Sequence, residues 1–177
     1  MNQQKPIIVS VPNALSADNF EKVRIYAYES PYFYGEHDGY DFKPTGMSCG
    51  LNQECEEDAP IINLIESVIR EKFPELFKDY KRYRAYINCF AAREDTHFHT
   101  DCGDHEDEFT FLFYANESYN GLDDGGTTEF YLDGKVIAVP PIPNTLVKFT
   151  SWVLHRATSL KSEHRFTYVL KYRRIGT

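Results

Sequence analysis

Apolar and polar positions follow two different periods along this chain, and the change falls near residue 81. Upstream, the run Ile7-Ile8-Val9-Ser10-Val11 predicts an opening strand that Pro12 stops. Ser16 can N-cap a helix over about 17–29, with Asp18 in the first turn and Phe20, Val23 and Ala27 on one face. Residues 30–56 carry Pro, Gly and Tyr with few periodic apolar positions. They predict a loop with short strands, a candidate lid or substrate wall. A second helix opens at Asp58 and Pro60, and Ile61, Ile62, Leu64, Ile65, Val68 and Ile69 form its apolar stripe until Pro74.

Downstream the period becomes two. Residues 82–91 place Tyr83, Ala85, Ile87 and Cys89 on one face and Arg84, Tyr86, Asn88 and Phe90 on the other. Further strands are predicted at Phe109–Tyr114, Thr127–Leu132, Lys135–Val139, Leu146–Thr150 and Phe166–Arg173. Asp133-Gly134 marks a tight hairpin, and Gly125-Gly126 breaks the chain before a strand. Helices followed by many short strands predict a mainly β fold with flanking helices, a sandwich or jelly roll with the helices packed on one sheet. No repeat, low-complexity tract or linker divides residues 1–177. A single domain is expected, with helical support over about 12–75 and a jelly-roll core over about 81–174.

Composition narrows the partners. The 15% aromatic share favours β structure. A net charge of -8 argues against the broad basic surface that duplex nucleic acid demands. No apolar run approaches a membrane span, and the first residues lack a charged start followed by an apolar core; a soluble, cytoplasmic protein is expected. Cys49, Cys55, Cys89 and Cys102 form no CxxC pair and read as free thiols.

The candidate chemistry lies at His99-Thr100-Asp101. In an extended segment a His and an Asp two apart share a face, so both can reach one metal ion. His155, at the end of an apolar stretch, is the best third ligand. Two imidazoles and a carboxylate with open positions are the pattern of non-heme Fe(II) oxygenases. Two rivals stand beside it: His97 with His99 as a zinc pair, and His164 as the third ligand, although His164 points away from its neighbour Arg165 in a strand. Arg165 and Thr167 share a face at the start of the last strand. Arg165 offers a forked, permanent cation for the far carboxylate of 2-oxoglutarate, worth roughly 1.5–3 kcal/mol as a charged hydrogen bond.

Taken in order, His99-x-Asp101, Gly125-Gly126-Thr127-Thr128-Glu129-Phe130, Leu146-Val147-Lys148-Phe149 and His155 with Arg165-Phe166-Thr167 resemble the Fe(II)/2-oxoglutarate-dependent dioxygenases, most of all their prolyl-hydroxylase branch. The resemblance covers roughly residues 81–173. It implies a double-stranded β-helix, with His99, Asp101 and His155 holding Fe(II). Arg165 would pair with the distal carboxylate of 2-oxoglutarate, supported by Thr167, and Tyr114 matches a family tyrosine that hydrogen-bonds the same carboxylate. It also implies O2 as oxidant, ascorbate as a candidate accessory reductant, and peptidyl proline as the substrate, hydroxylated with release of succinate and CO2. The alternatives are a free amino acid or small metabolite as substrate, or a zinc-binding cupin-like barrel without oxygenase activity. A nucleic-acid substrate is disfavoured by the acidic balance and by the lack of the second strand-borne arginine of the demethylase branch. The sequence departs from the family pattern at Phe90, where a tyrosine followed by Pro-Gly is frequent, although Tyr86 lies on the same strand face. The acidic stretch 101–108 suggests either a mouth for a cationic substrate or, preferred, a solvated loop.

Overall fold

The alternating stretches form two antiparallel sheets in the computed structural model, which describes residues 7–35, 43–102 and 107–176. In chain order the elements are β1 (Ile8–Val11), α1 (Ala17–Glu29), β2 (Phe33–Tyr34), β3 (Met47–Gly50), α2 (Asp58–Lys72), α3 (Leu76–Asp79) and β4 (Tyr80–Phe90). There follow β5 (Glu108–Tyr114), β6 (Thr128–Leu132), β7 (Lys135–Val139), β8 (Leu146–Thr150), β9 (His155–Ala157) and β10 (Arg165–Arg174). The larger sheet has the order β1-β8-β5-β10-β4-β3-β2 and the smaller β7-β6-β9. This is the expected jelly-roll architecture, with the helices on one side of the larger sheet.

Each face of the larger sheet has its own task. Ala85, Ile87 and Cys89 of β4, Phe109, Phe111 and Phe113 of β5, and Tyr168, Leu170 and Tyr172 of β10 form one core with the helices. Into it α1 sends Val23 and Ala27, and α2 sends Ile62, Ile65 and Ile69, which are fully buried. Each such isoleucine contributes roughly 1.5–3 kcal/mol of burial. Ser16 caps α1, accepting from the Asn19 amide at 3.4 Å. The Tyr26 hydroxyl donates to Asp58, whose other oxygen takes the Asn52 amide at 2.6 Å, tying α1 to the start of α2.

The opposite face looks toward the smaller sheet. Tyr86, Leu112, Tyr114, Phe130, Val147, Phe149, Val153 and Val169 pack there as a second core. At one side of that core, Arg84, Asn88, Arg165, Thr167 and Lys171 remain to line a cavity. A strand's period of two therefore sorts fat from function: on β10 even numbers face the helices, and 165, 167, 169 and 171 face the cavity.

Three expectations need adjustment. The sheet is not confined to residues 81–174, because β1 pairs with β8, and β2 and β3 extend the sheet beyond β4. Both β9 and α3 lacked the apolar periodicity that would have announced them. Among the described residues of 30–56 none lines the cavity that holds Asp101 and Arg165, whereas Ser48 and Gly50–Gln53 line a second hollow beside Arg84 and Tyr86; residues 36–42 lie outside the described set. The four cysteines are free thiols. No described helix is long and apolar enough to cross a membrane.

Candidate active site

Residues 99–101 run antiparallel to residues 151–155. The amides of His99 and His155 donate to each other's carbonyls at 2.9 Å, and the Asp101 amide donates to Ser151 at 2.9 Å. That short ladder brings two distant parts of the chain face to face. One ligand atom each from His99, Asp101 and His155 lies within 4.8 Å of the others. The Nε2 of His155 stands 3.7 Å from Oδ2 of Asp101.

The imidazoles are held in one orientation by the backbone. Nδ1 of His99 lies 2.9 Å from the His97 carbonyl, and Nδ1 of His155 lies 2.8 Å from that of Val153. A carbonyl only accepts, so each Nδ1 carries a proton and Nε2 is the atom left to serve as a ligand. Burial pushes the His155 imidazole down to about 4 against the pull of Asp101, so the ring is neutral at physiological pH. Burial alone would raise the Asp101 carboxyl, but the neighbouring imidazole and the Lys171 ammonium outweigh it and hold the group well below the usual carboxylate range. With His155 uncharged, Lys171 is the cation that matters at neutral pH: its Nζ donates to Oδ1 of Asp101 at 2.7 Å. Thr110 donates to Oδ2 at 2.6 Å and stands 2.9 Å from the Ser151 hydroxyl.

The same cavity, about 470 Å³, ends at Arg165. This guanidinium is 2% exposed. Its Nε donates to the Gly126 carbonyl at 2.9 Å and its Nη2 to Thr128 Oγ1 at 2.8 Å, and the Tyr114 phenol adds a further hydrogen-bonding contact. No described carboxylate pairs with it. Burial lowers its pKa, but arginine stays charged under any protein condition. A buried cation without a counter-ion costs several kcal/mol, so the site is built to receive an anion. Gly125 and Gly126 make the cradle possible. Both have positive φ (82° and 76°), and a Cβ on Gly125 would lie 2.6 Å from the Ser159 carbonyl oxygen.

Thr167 faces the cavity, and its hydroxyl is buried with no hydrogen-bond partner among the described residues. Across the strand pair, Asn88 is in the same condition at Oδ1. Tyr114 is fully buried but does not line the cavity. Its hydroxyl meets Thr128 Oγ1 at 2.7 Å, and its ring lies 5.4 Å from the Arg165 guanidinium carbon. The phenol therefore stands behind Thr128 and props the arginine; burial raises its pKa against the pull of Arg165. His97 is exposed and contributes only its carbonyl, and His164 is exposed beside Phe166, so neither belongs to the donor cluster.

Lys171, Thr110, Thr128 and Asn88 were not singled out from sequence. Lys171 keeps the two-residue phase of Arg165 and Thr167, and Thr110 that of Tyr114, so the signal was present but without weight until the partner strands were known. Of the acidic stretch, residues 103–106 lie outside the described set. Asp107 is engaged by Arg174 at 2.8 Å, and Glu108 accepts from the Tyr83 hydroxyl at 2.6 Å. Those two acids are committed within the protein rather than presented to a substrate.

No known family profile matches the sequence, and no curated protein sequence does so either. Solved structures do match. A prolyl hydroxylase from Trichoplax adhaerens, in complex with a peptide fragment of the hypoxia inducible factor oxygen degradation domain, superposes with a TM-score of 0.77 at 17% identity, covering 94% of this chain and 83% of that one. A Pseudomonas putida prolyl-4-hydroxylase gives 0.74 at 17% identity, over 94% and 92% of the two chains. An oxidoreductase of the 2OG-Fe(II) oxygenase family from Burkholderia pseudomallei gives 0.72 at 15% identity, over 95% and 84%. The chain thus has the fold of the 2OG-Fe(II) oxygenases, prolyl hydroxylases among them.

Proposed function

We propose that this protein is an Fe(II)- and 2-oxoglutarate-dependent dioxygenase that hydroxylates a C–H bond, with proline in a peptide as the substrate by analogy of fold. The observation that carries the reading is the pairing, in one cavity, of a His-Asp-His donor set with a buried guanidinium that has no counter-ion among the described residues.

The residues suit the group they would hold. Two imidazoles, each anchored through Nδ1 so that Nε2 is the ligand atom, and one ionised carboxylate are borderline-to-hard donors appropriate to Fe(II) and leave coordination positions open. When bound, iron with 2-oxoglutarate and O2 supplies the oxidising power, with succinate and CO2 as co-products. The protein's share is placement. Arg165 would take the distal carboxylate of 2-oxoglutarate, with the unpartnered Thr167 hydroxyl as a further donor. Thr128 and Tyr114 would fix the arginine from behind. Thr110 and Lys171 orient Asp101, and the His97 and Val153 carbonyls hold the two rings. The apolar wall of Leu112 and Val169 limits water at the centre.

Asp101→Ala and His155→Ala test this. Each is expected to abolish 2-oxoglutarate-dependent succinate formation together with the gain of one oxygen on proline-containing peptides, read by mass spectrometry. Wild-type turnover in either variant removes the ligand assignment. Succinate formation without any oxidised peptide keeps the oxygenase but removes the prolyl substrate.

A further inference from the structure

The protein is acidic, with a net charge of -8, yet its cavity is not. Among the described residues lining it, Arg84, Arg165 and Lys171 are cations and Asp101 is the only carboxylate. Fe(II) and the 2-oxoglutarate dianion cancel each other, so the loaded cavity of the proposed enzyme would keep the two positive charges by which three cations exceed one anion. Arg165 has its use at one end. At the other end Lys171 is paired with Asp101, and Arg84 has no use assigned.

That other end is built. Arg84 on β4 and Lys171 on β10 are directly paired across the sheet. Both line the cavity, and the Tyr86 ring lies within reach of each. The Arg84 guanidinium carbon stands 4.3 Å from the ring centroid and Lys171 Nζ 6.0 Å. Tyr86 and Lys171 are each 6% exposed, whereas Arg84 opens to solvent. Lys171 touches the metal-binding carboxylate itself, which puts this pole beside the reacting centre. From Arg165 to Lys171 is six residues of strand, roughly 20 Å. The two cations therefore rise from opposite ends of one strand face. Among the described residues Arg84 has no carboxylate partner, and Asp101 would share its charge with the metal.

We infer that Arg84, Lys171 and the Tyr86 ring form the substrate subsite, and that the substrate carries a carboxylate close to the C–H bond that is oxidised. The inference rests on the oxygenase reading above and narrows it: a neutral prolyl peptide gives Arg84 no anionic partner at the cavity mouth. The carboxylate belongs either to a free or N-acylated amino acid or to an acidic side chain next to the reacting residue of a peptide. A guanidinium seated on an aromatic face is preorganised for such a group.

The test uses the full chain loaded anaerobically with Fe(II) and saturating 2-oxoglutarate, and reads the perturbation of its absorption spectrum by added probes. One arm is the set of N-acetyl-L-amino acids, each as the free acid and as the amide. The other is the peptide pair acetyl-Pro-Glu-Gly-amide and acetyl-Pro-Gln-Gly-amide. The expected result is at least tenfold tighter binding of the acid than of its neutral counterpart in one arm, which also identifies the source. In Arg84→Gln that preference falls about tenfold. Equal binding within every pair, no binding by any acid, or a preference that survives Arg84→Gln each overturns the subsite. The 2-oxoglutarate titration that precedes the probes is read on its own, so failure of the oxygenase reading shows as a missing response to 2-oxoglutarate, before any substrate probe is added.

Discussion

Replacing Arg165 by lysine keeps one positive charge and removes the fork, which makes it the cleanest perturbation of the cosubstrate end. In the structure Nε and Nη2 are fixed by Gly126 and Thr128, which holds the guanidinium in one orientation. Lysine has a single nitrogen, which cannot satisfy the Gly126 carbonyl and Thr128 while also meeting a carboxylate. One charged hydrogen bond is worth roughly 1.5–3 kcal/mol. At about 1.4 kcal/mol per factor of ten, the 2-oxoglutarate dissociation constant should rise about 10- to 150-fold. Anaerobic titration of Fe(II)-loaded protein with 2-oxoglutarate measures it directly, and succinate formation against 2-oxoglutarate concentration gives the kinetic counterpart. A melting curve of the variant separates lost affinity from lost fold, since Arg165 also anchors the Gly126 turn. A folded Arg165→Lys protein whose 2-oxoglutarate requirement stays within about twofold of wild type would refute the role of this residue.

Three further outcomes are expected. Lys171→Met breaks a buried ion pair and should destabilise the metal-free protein by about 3–5 kcal/mol. Much of that loss should return on adding Mn(II), which supplies positive charge beside Asp101; a melting temperature that Mn(II) does not raise more in the variant than in wild type contradicts this. Gly125→Ala forces a Cβ to within 2.6 Å of the Ser159 carbonyl in a left-handed conformation, a strain of about 1–3 kcal/mol, and should lower the melting temperature by several degrees; an unchanged value excludes the strain. In the metal-free protein the His155 pKa is about 4 folded against about 6.5 for a solvated imidazole, so the unfolded chain binds more protons between these values. Stability should fall as pH drops from about 6.5 toward 4, with the Asp101 contribution lost only at lower pH, where that carboxylate protonates. Urea midpoints at pH 7 and pH 5 check this, and His155→Gln should flatten the difference.

How much of this was legible beforehand follows from what a single strand encodes. A strand carries its own sidedness, so Arg84, Tyr86 and Asn88 were separable from Ala85, Ile87 and Cys89, and His99 from Thr100, with no partner in view. Apolar stripes located α1 and α2 for the same reason. Pairing between strands is not written locally. That Lys171 would reach Asp101, or that Thr128 would stand between Tyr114 and Arg165, depends on the register of β10 against β5 and on the crossing of residues 99–101 with 151–155. Short edges such as β2 and β9 are held by neighbours rather than by their own composition. Tyr114 shows the difference well: its phase correctly pointed it toward the cavity face, but only the second sheet reveals Thr128 in front of it.

The proposal that His99, Asp101 and His155 hold one ion and that Arg165 receives the cosubstrate is open to one direct measurement. Purified protein is loaded anaerobically with Fe(II), assayed for bound iron, and titrated with 2-oxoglutarate while its visible spectrum is recorded, alongside Asp101→Ala. One iron per chain, and a 2-oxoglutarate-dependent charge-transfer absorption that is absent from Asp101→Ala, is the expected result. A wild-type spectrum indifferent to 2-oxoglutarate, or the same absorption in the variant, contradicts it.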